Sequence, residues 1–368
     1  MNRNELHVIY GSTPKTMVQQ VLGDLAIERE IPADARIGIK PNLVVAKPAT
    51  SGATTTPELV AGVIEYLQAK GFQNVVILEG SWVGDRTATA FKVCGYEALS
   101  HQYHVPLIDL QKDQAQVLTA EGMSIAVCRQ ALQIDYLINM PVLKGHCQTL
   151  LTCALKNMKG CIPDSEKRKF HTMGLHKPIA HLNAVIKQDL IIVDGLMGDL
   201  NFEEGGNPVQ MNRVIVGKDP VLVDAYAAAL LGYELSEIPY LQIAADLGIG
   251  SHDLTAARIV ELNQDQYQYR PALPRSRKVQ QLARHIRENE ACSACYGSLI
   301  HALDRLDRRG LLQELPEPVQ IGQGYKGLCH QGIGVGICTN GATHHVGGCP
   351  PKGQEIVGML EALITEKR

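Results

Sequence analysis

Aromatic residues are scarce: the 368 residues include 4 Phe and 1 Trp. That argues against an aromatic platform for stacking bases and leaves an aliphatic core. The net charge is only −3, so the chain has no general attraction to nucleic acid or to an anionic membrane surface. No apolar run approaches the length of a membrane span. The opening stretch, MNRNELHVIYG, lacks the long apolar core of a signal peptide. Neither a Walker-type phosphate loop nor a G-x-G-x-x-G turn stands between a strand and a helix. There is no internal repeat and no low-complexity tract. A cytoplasmic protein with no membrane and no nucleic-acid partner is expected, and nothing in the chain specifies an oligomeric state.

What is present suits a globular protein. Apolar residues make up 45% and charged residues 20%, enough for a sizeable core. The length allows two domains. Ten cysteines in a reducing compartment point away from a disulfide framework, toward metal ligation or reactive thiols.

Apolar strands alternate with helices along most of the chain. Leu6 to Tyr10 reads as a strand, followed by a helix from about Lys15 to Glu30. Arg36 to Ile39 is a strand that runs into Lys40-Pro41-Asn42. Ala53 to Glu58 starts a helix, with a Thr as N-cap, Pro57 in the first turn and Glu58 at the positive end of the dipole. Asn74 to Leu78 is a strand ending at Glu79. A helix from about Thr87 to Tyr103 and extended pieces around 107–127 follow. Tyr136 to Met140 and Leu190 to Val193 are buried strands, the second ending at Asp194. Arg213 to Val216 is another, and Asp219-Pro220 caps a helix that stops at Gly232. Continuous apolar strands between helices predict a mostly parallel mixed sheet flanked by helices, the α/β class. The pieces around 107–127 suggest that some strands are antiparallel.

In open α/β sheets, ligands bind beyond the carboxyl ends of the strands. Those ends carry Lys40, Asn42, Glu79, Lys144, His146 and Asp194, and the segment after Met140 adds Lys156 and Asn157. The amines and the imidazole suit a small anionic ligand, a carboxylate or a phosphate, and suit acid–base work by Lys40, Lys144, His146 or Lys156. Polar strand ends are also what surfacing strands simply look like. The segment around Lys167, Arg168, Lys169, His171 and His176 reads as a basic loop, either a lid or plain solvated surface. Cys147, Cys153 and Cys161 lie beside these groups and read either as a second metal site or as small core residues.

The composition changes near residue 264, and the domain boundary is placed at about 270. Gln264 to Arg287 carries Pro271, Pro274 and a run of basic residues, a linker followed by a basic helix. From Cys292 the chain is rich in Gly and Cys. Cys292-Ser293-Ala294-Cys295 is a C-x-x-C, and Cys329, Cys338 and Cys349 follow. Cys292, Cys295, Cys338 and Cys349 are assigned as metal ligands, with Cys329 spare or a substitute. The wide gap between Cys338 and Cys349, the Pro after Cys349 and the many glycines favour a 4Fe-4S cluster; zinc and free thiols are the alternatives. The expected domains are 1–269, α/β, and 270–368, a small Gly/Cys-rich metal module.

The segments Gly38–Val44, Ala53–Pro57, Ile138–His146, Ala154–Gly160 and Asp219–Ala225, in that order and spacing, resemble the family catalogued as domain of unknown function 362. The resemblance covers roughly residues 36–250. Members of that family are often iron–sulfur proteins, which agrees with the cluster expected here, although these cysteines depart from the compact ferredoxin repeat that some members carry. It singles out Lys40, Asn42, Lys144, His146, Lys156, Asn157 and Asp224. The expected function is an iron–sulfur protein carrying out electron transfer, or redox chemistry as an oxidoreductase, on a small anionic ligand, a cofactor or a partner protein. A non-redox isomerase, racemase or transferase with zinc or a structural cluster, or a cluster-maturation factor, stands beside it.

Overall fold

The computed structural model describes residues 1–263, 273 and 277–367. The expected boundary near 270, with Arg270, Pro271, Pro274 and Arg275, lies outside the described residues. The chain forms two compact units: Met1–Lys167 with His176–Arg275, and Arg168–Leu175 with Ser276–Arg368.

The strands of the first unit are β1 (Glu5–Tyr10), β2 (Ile37–Pro41), β3 (Val75–Glu79), β4 (Leu107–Asp109), β5 (Ala115–Ala120), β6 (Met123–Cys128), β7 (Tyr136–Met140), β8 (Lys144–His146), β9 (Leu150–Thr152), β10 (Leu190–Asp199), β11 (Pro208–Gly217) and β12 (Arg258–Glu261). Eight of them make one sheet in the order β12-β1-β11-β10-β7-β2-β3-β4. The run from β4 through β3, β2 and β7 to β10 is parallel, β11 is antiparallel to both β10 and β1, and β12 is parallel to β1. This is the expected α/β class with a large mixed sheet flanked by helices. Antiparallel pairing does occur around 107–127, as expected, between β5 and β6, but outside the large sheet. β4 joins the sheet in parallel, β5 and β6 form a separate hairpin, and the reversed strand of the sheet is β11.

One face of the sheet is largely aliphatic, with Tyr136 at the start of β7. Ile37 and Ile39 of β2, Ile138 and Met140 of β7 and Ile192 of β10 pack under Val18, Val21 and Leu22 of the helix Pro14–Asp24 and Val60, Ile64 and Leu67 of the helix Pro57–Ala69. Burying each such side chain is worth about 1.5–3 kcal/mol. The pleat turns Lys40 and its register partner Asn139 to the opposite face. There Asn139 Nδ2 donates to Ala154 O of the short helix Ala154–Asn157 at 2.9 Å.

Helix ends follow the sequence in part. Asp219 Oδ1 accepts Val221 N at 2.9 Å and Leu222 N at 3.1 Å, and the helix Pro220–Leu231 ends at Gly232 with φ +79°, as expected. Thr56 occupies the N-cap position of Pro57–Ala69 without capping it by its side chain; the Thr56 N–H instead meets Asp194 Oδ2 at 2.7 Å. The helix expected from Thr87 to Tyr103 is two, Thr87–Val93 and Tyr96–Tyr103, because Gly95 turns to φ +83° between them.

The second unit contains a sheet of four parallel strands, β13 (Ile286–Glu288), β14 (Val319–Ile321), β15 (His330–Val335) and β16 (Ala342–Val346), in that order. The helix Ser293–Arg308 lies between β13 and β14 in sequence, and Gly353–Lys367 closes the chain.

Asp224, on Pro220–Leu231, holds the start of the helix Ala154–Asn157: its carboxylate accepts Ala154 N at 2.6 Å and Leu155 N at 3.1 Å. Asp224→Ala strands two buried N–H groups and is expected to lower the unfolding free energy by about 2–4 kcal/mol, with Asp224→Asn losing roughly half as much because one acceptor remains. Urea unfolding of both variants checks this; equal losses would show that the amides are not what Asp224 stabilises.

Candidate functional site

The parallel strands bring their carboxyl ends to one edge of the sheet, where charge is buried to an unusual degree. Lys40, at the end of β2, is fully buried; its Nζ lies 2.8 Å from Glu79 Oε1 and donates to Pro41 O at 2.8 Å. Glu79, at the end of β3, also accepts Leu43 N at 2.8 Å and Gly80 N at 2.7 Å. Gly160 closes over this pair: a Cβ there would collide with Glu79 Oε1 and Lys40 Nζ.

After β7 the chain bridges Val142 to Asp194 and turns into the hairpin β8–β9, which carries Lys144 and His146. Lys144 is fully buried, and its Nζ donates to Asn42 Oδ1 (3.0 Å), Ala53 O (2.5 Å) and Glu203 O (2.8 Å). Burial pulls its pKa down to about 7; Lys156 adds to the fall, and Glu203, Glu204 and Asp199 oppose it. His146 Nδ1 accepts Gln148 N and Thr149 N, each at 3.0 Å. The neutral ring therefore carries its proton on Nε2. That nitrogen lies 2.9 Å from Glu203 Oε2, but the ring N–H is poorly aimed at the oxygen. Burial and the Lys156 charge take the His146 pKa down to about 4 against the pull of Glu203.

Glu203 is the group that sequence reasoning missed. It sits in the turn between β10 and β11, is buried, and pairs with Lys156 Nζ through Oε1 and faces His146 through Oε2. Burial opposes its charge, but Lys156 and His146 more than offset that and hold its pKa well below the usual carboxylate range. Two adjacent glutamates before Gly205-Gly206 were the available signal, and in a Gly-rich turn such residues ordinarily face water.

The other expected site residues are close by. Asn42 Nδ2 donates to Asn157 Oδ1 at 2.9 Å. Asp194 is not at a strand end but inside β10, which continues to Asp199 with an irregularity between Gly195 and Met197. Its two oxygens accept Thr56 N and Leu196 N, and those of Asp224 accept the amides already described. The basic segment read as a loop is largely helical: Asp164–Thr172 contains Lys167, Lys169 and His171, and His176–Val185 begins at His176. Lys167 Nζ donates to Ser81 O at 2.7 Å, and the His176 ring stacks on Tyr240 with centroids 5.8 Å apart. Cys147, Cys153 and Cys161 are buried, and burial pushes the Cys161 thiol up to about 12. The cavity of about 480 Å³ lined by Arg3, Asn183, Gln188 and Ile249 involves none of the strand-end charges.

In the second unit, parallel pairing decides where the cysteines go. Cys292 and Cys295 follow the carboxyl end of β13, Cys292 as N-cap of the helix Ser293–Arg308. Cys338 follows β15 in the turn Ile337–Thr339, and Cys349 follows β16. The last two loops are tied together by Gly336 N to Val346 O at 2.8 Å and Ile337 N to Gly348 O at 3.0 Å. Burial raises the Cys295 thiol pKa, and Cys292, Cys349 and Cys338 act on it in the same direction. Cys329 is exposed and precedes the amino end of β15, at the other edge. Among the described residues no group of three His, Cys, Asp or Glu stands ready to hold a metal ion. None of the described helices is long and apolar enough to cross a membrane.

The fold and its charged strand-end cluster define an α/β protein with a buried polar site at the carboxyl edge of its sheet. Residues 37–229, more than half of the chain, match the family described as Domain of unknown function (DUF362), and the chain belongs to that family. It is similar to the thylakoid-associated protein sll1697 of Synechocystis sp. (strain ATCC 27184 / PCC 6803 / Kazusa), with 25% identity over 226 residues, 58% of this chain and 68% of that protein. Among solved structures it is similar to the lactate racemase apoprotein from Thermoanaerobacterium thermosaccharolyticum, at 12% identity and a TM-score of 0.39. That match covers 63% of this chain and 57% of the racemase, so this chain spans little more than half of the racemase's length.

His146 and Asp224 give stability opposite pH dependences. The folded pKa of His146 is depressed, so its contribution is full above the unfolded value of 6.5 and lost as pH falls toward 4. Burial raises Asp224 from 3.8 to about 7, so its contribution is full below 3.8 and lost as pH rises through 7. Between pH 4 and 6.5 the two oppose each other. The stability of the wild type relative to His146→Gln is expected to rise across that window by about 3 kcal/mol, and relative to Asp224→Asn to fall by a similar amount. Urea titrations at several pH values check the signs. Parallel pH profiles for the wild type and His146→Gln would show that His146 is not held neutral.

Proposed function

We propose that this chain is an iron–sulfur protein in which Cys292, Cys295, Cys338 and Cys349 hold a 4Fe-4S cluster, while the α/β unit holds a small anionic ligand among Lys40, Lys144, His146 and Lys156. The observation that carries the reading is that each of those four cysteines follows the carboxyl end of a strand in one parallel sheet. The donor types suit such a cluster, and among the described residues no three of them already stand ready around a single metal ion. The set offers four sulfurs, two of them at the start of a helix whose amide dipoles favour thiolate, and glycine backbone at positive φ at Gly336 and Gly348. A bound cluster supplies one-electron transfer, to the ligand or to a redox partner protein.

In the α/β unit, Glu203 marks where an anion sits. It lies between His146 and Lys156, and a carboxylate or phosphate of a ligand would take up the same two partners. Lys144, whose pKa burial brings down to about 7, is the group suited to hold or move a proton there. Asn42 and Asn157 orient it, and Asp194 and Asp224 shape the site by capping helices.

A second reading follows from the same cluster taken alone. Lys144 and His146 then work as acid and base in an isomerase, racemase or transferase, with zinc or a structural cluster in the second unit.

The test is iron, zinc and acid-labile sulfide per chain on anaerobically purified protein, with EPR after dithionite. The expected result is about four iron and four sulfide per chain, with a reduced-cluster signal lost in Cys295→Ala and kept in Cys329→Ala. About one zinc and no sulfide would overturn the cluster and move the weight to the acid–base reading.

A further inference from the structure

Lys144 is the first member of an unbroken line of side-chain hydrogen bonds. Its ammonium donates to Asn42 Oδ1 at 3.0 Å, and Asn42 Nδ2 donates to Asn157 Oδ1 at 2.9 Å. Asn157 Nδ2 donates to Asn139 Oδ1 at 2.7 Å, and Asn139 Nδ2 to Gln188 Oε1 at 2.5 Å. Gln188 Nε2 donates to Asn183 Oδ1 at 2.5 Å, and Asn183 Nδ2 ends the line on two backbone carbonyls, Leu155 O and Ile179 O, each at 2.9 Å. All five amides are buried.

The direction of the line is fixed by groups that cannot flip. An ammonium only donates, so Asn42 must turn its oxygen to Lys144. Backbone carbonyls only accept, so Asn183 must turn its nitrogen to Leu155 O and Ile179 O and its oxygen to Gln188. In the middle, Ala154 O demands the nitrogen of Asn139 at 2.9 Å. The three constraints agree on one orientation for every amide, and aligned amide dipoles in a poorly solvated interior strengthen one another. At the Lys144 end they present oxygen. With Ala53 O and Glu203 O, three acceptors surround Nζ; a neutral amine has two N–H groups for them and would point its lone pair at the third.

We propose that Asn42, Asn157, Asn139, Gln188 and Asn183 form a polarised amide relay that holds Lys144 as an ammonium, with Asn139, Asn157 and Gln188 as positioning residues that touch no reacting atom. The relay opposes the burial that drives Lys144 toward the neutral amine. It acts beside the charges facing Lys144, which are Glu203, Glu204 and Asp199 of one sign and Lys156 of the other. The proposal deepens the acid–base role given to Lys144 above and rests on that reading for its purpose, not for its test.

The test follows the Cε carbon shift of Lys144 against pH in protein labelled with ¹³C at the lysine Cε, without ligand. The resonance is assigned by its loss in Lys144→Met. Asn157→Leu and Gln188→Met are each expected to lower the titration midpoint by about half a unit or more, since the aligned chain reinforces its terminal acceptor. Leu182→Ala, a buried change on the same helix as Asn183, is expected to leave it in place. Gln188→Met lies farther from Lys144 and serves if Asn157→Leu does not fold. An unmoved midpoint in Gln188→Met, or an equal shift in Leu182→Ala, overturns the relay. Because no ligand is present, either result leaves the proposed reaction class to be judged separately.

Discussion

Burying charge at the carboxyl edge of the sheet is the constraint on which the rest of the α/β unit depends. Lys40, Lys144, His146, Lys156, Glu79 and Glu203 are all nearly or wholly buried. An isolated ion in such a place costs several kcal/mol even after relaxation. It is tolerated only when every proton and lone pair finds a partner. The irregular backbone around the cluster supplies them. Ala53 O and Glu203 O reach Lys144 because Gly52 and Gly205 take left-handed conformations where their chains press against neighbouring backbone. The hairpin β8–β9 and the long strand β10 approach closely because Gly145 packs on Leu200 O and Gly198 on Leu143 O, leaving no room for a Cβ. Glycine here lets backbone oxygen come near enough to accept hydrogen bonds from a buried ammonium.

The second unit solves a related problem by topology. Four parallel strands place every carboxyl end on one edge, so residues far apart in sequence meet there without a dedicated framework. Cys292, Cys295, Cys338 and Cys349 follow the carboxyl ends of strands; Cys329 precedes one. The same rule that delivers Lys40, Glu79 and Lys144 to one edge of the larger sheet delivers thiols to one edge of the smaller.

That rule also explains what was legible in the sequence. Apolar runs ending in Lys40, Glu79 and the Pro141 segment announce strands with polar ends, and Asp219-Pro220 with Gly232 brackets a helix by local chemistry alone. The reversed direction of β11 has no local signal, because a buried strand reads alike in either direction. The segment around Lys167 and His171 looked like a loop because its charges outnumber its apolar residues, yet Phe170 is fully buried and anchors one face of a helix. Asn139 was visible as an amide inside the apolar run Tyr136–Met140. Its importance depends on Asn157, Gln188 and Asn183, which only the folded chain brings beside it.

The buried carboxylates sort by what holds them. Asp194, Asp199, Asp219 and Asp224 accept backbone N–H groups. Their partners are fixed by the fold, so removing them breaks helix starts and turns. Glu79 is mixed, bonded to Lys40 and to two backbone amides. Glu203 instead meets two side chains, Lys156 and His146, and it lies on a connecting turn between β10 and β11. A carboxylate tied to backbone cannot be replaced by a ligand without unravelling an element. One held by an amine and an imidazole can be, because an incoming anion restores the same charge and the same two contacts. The residue that sequence reasoning passed over is therefore the one whose two partners the proposed anion would engage, while Asp194 and Asp224 hold the surrounding backbone in shape.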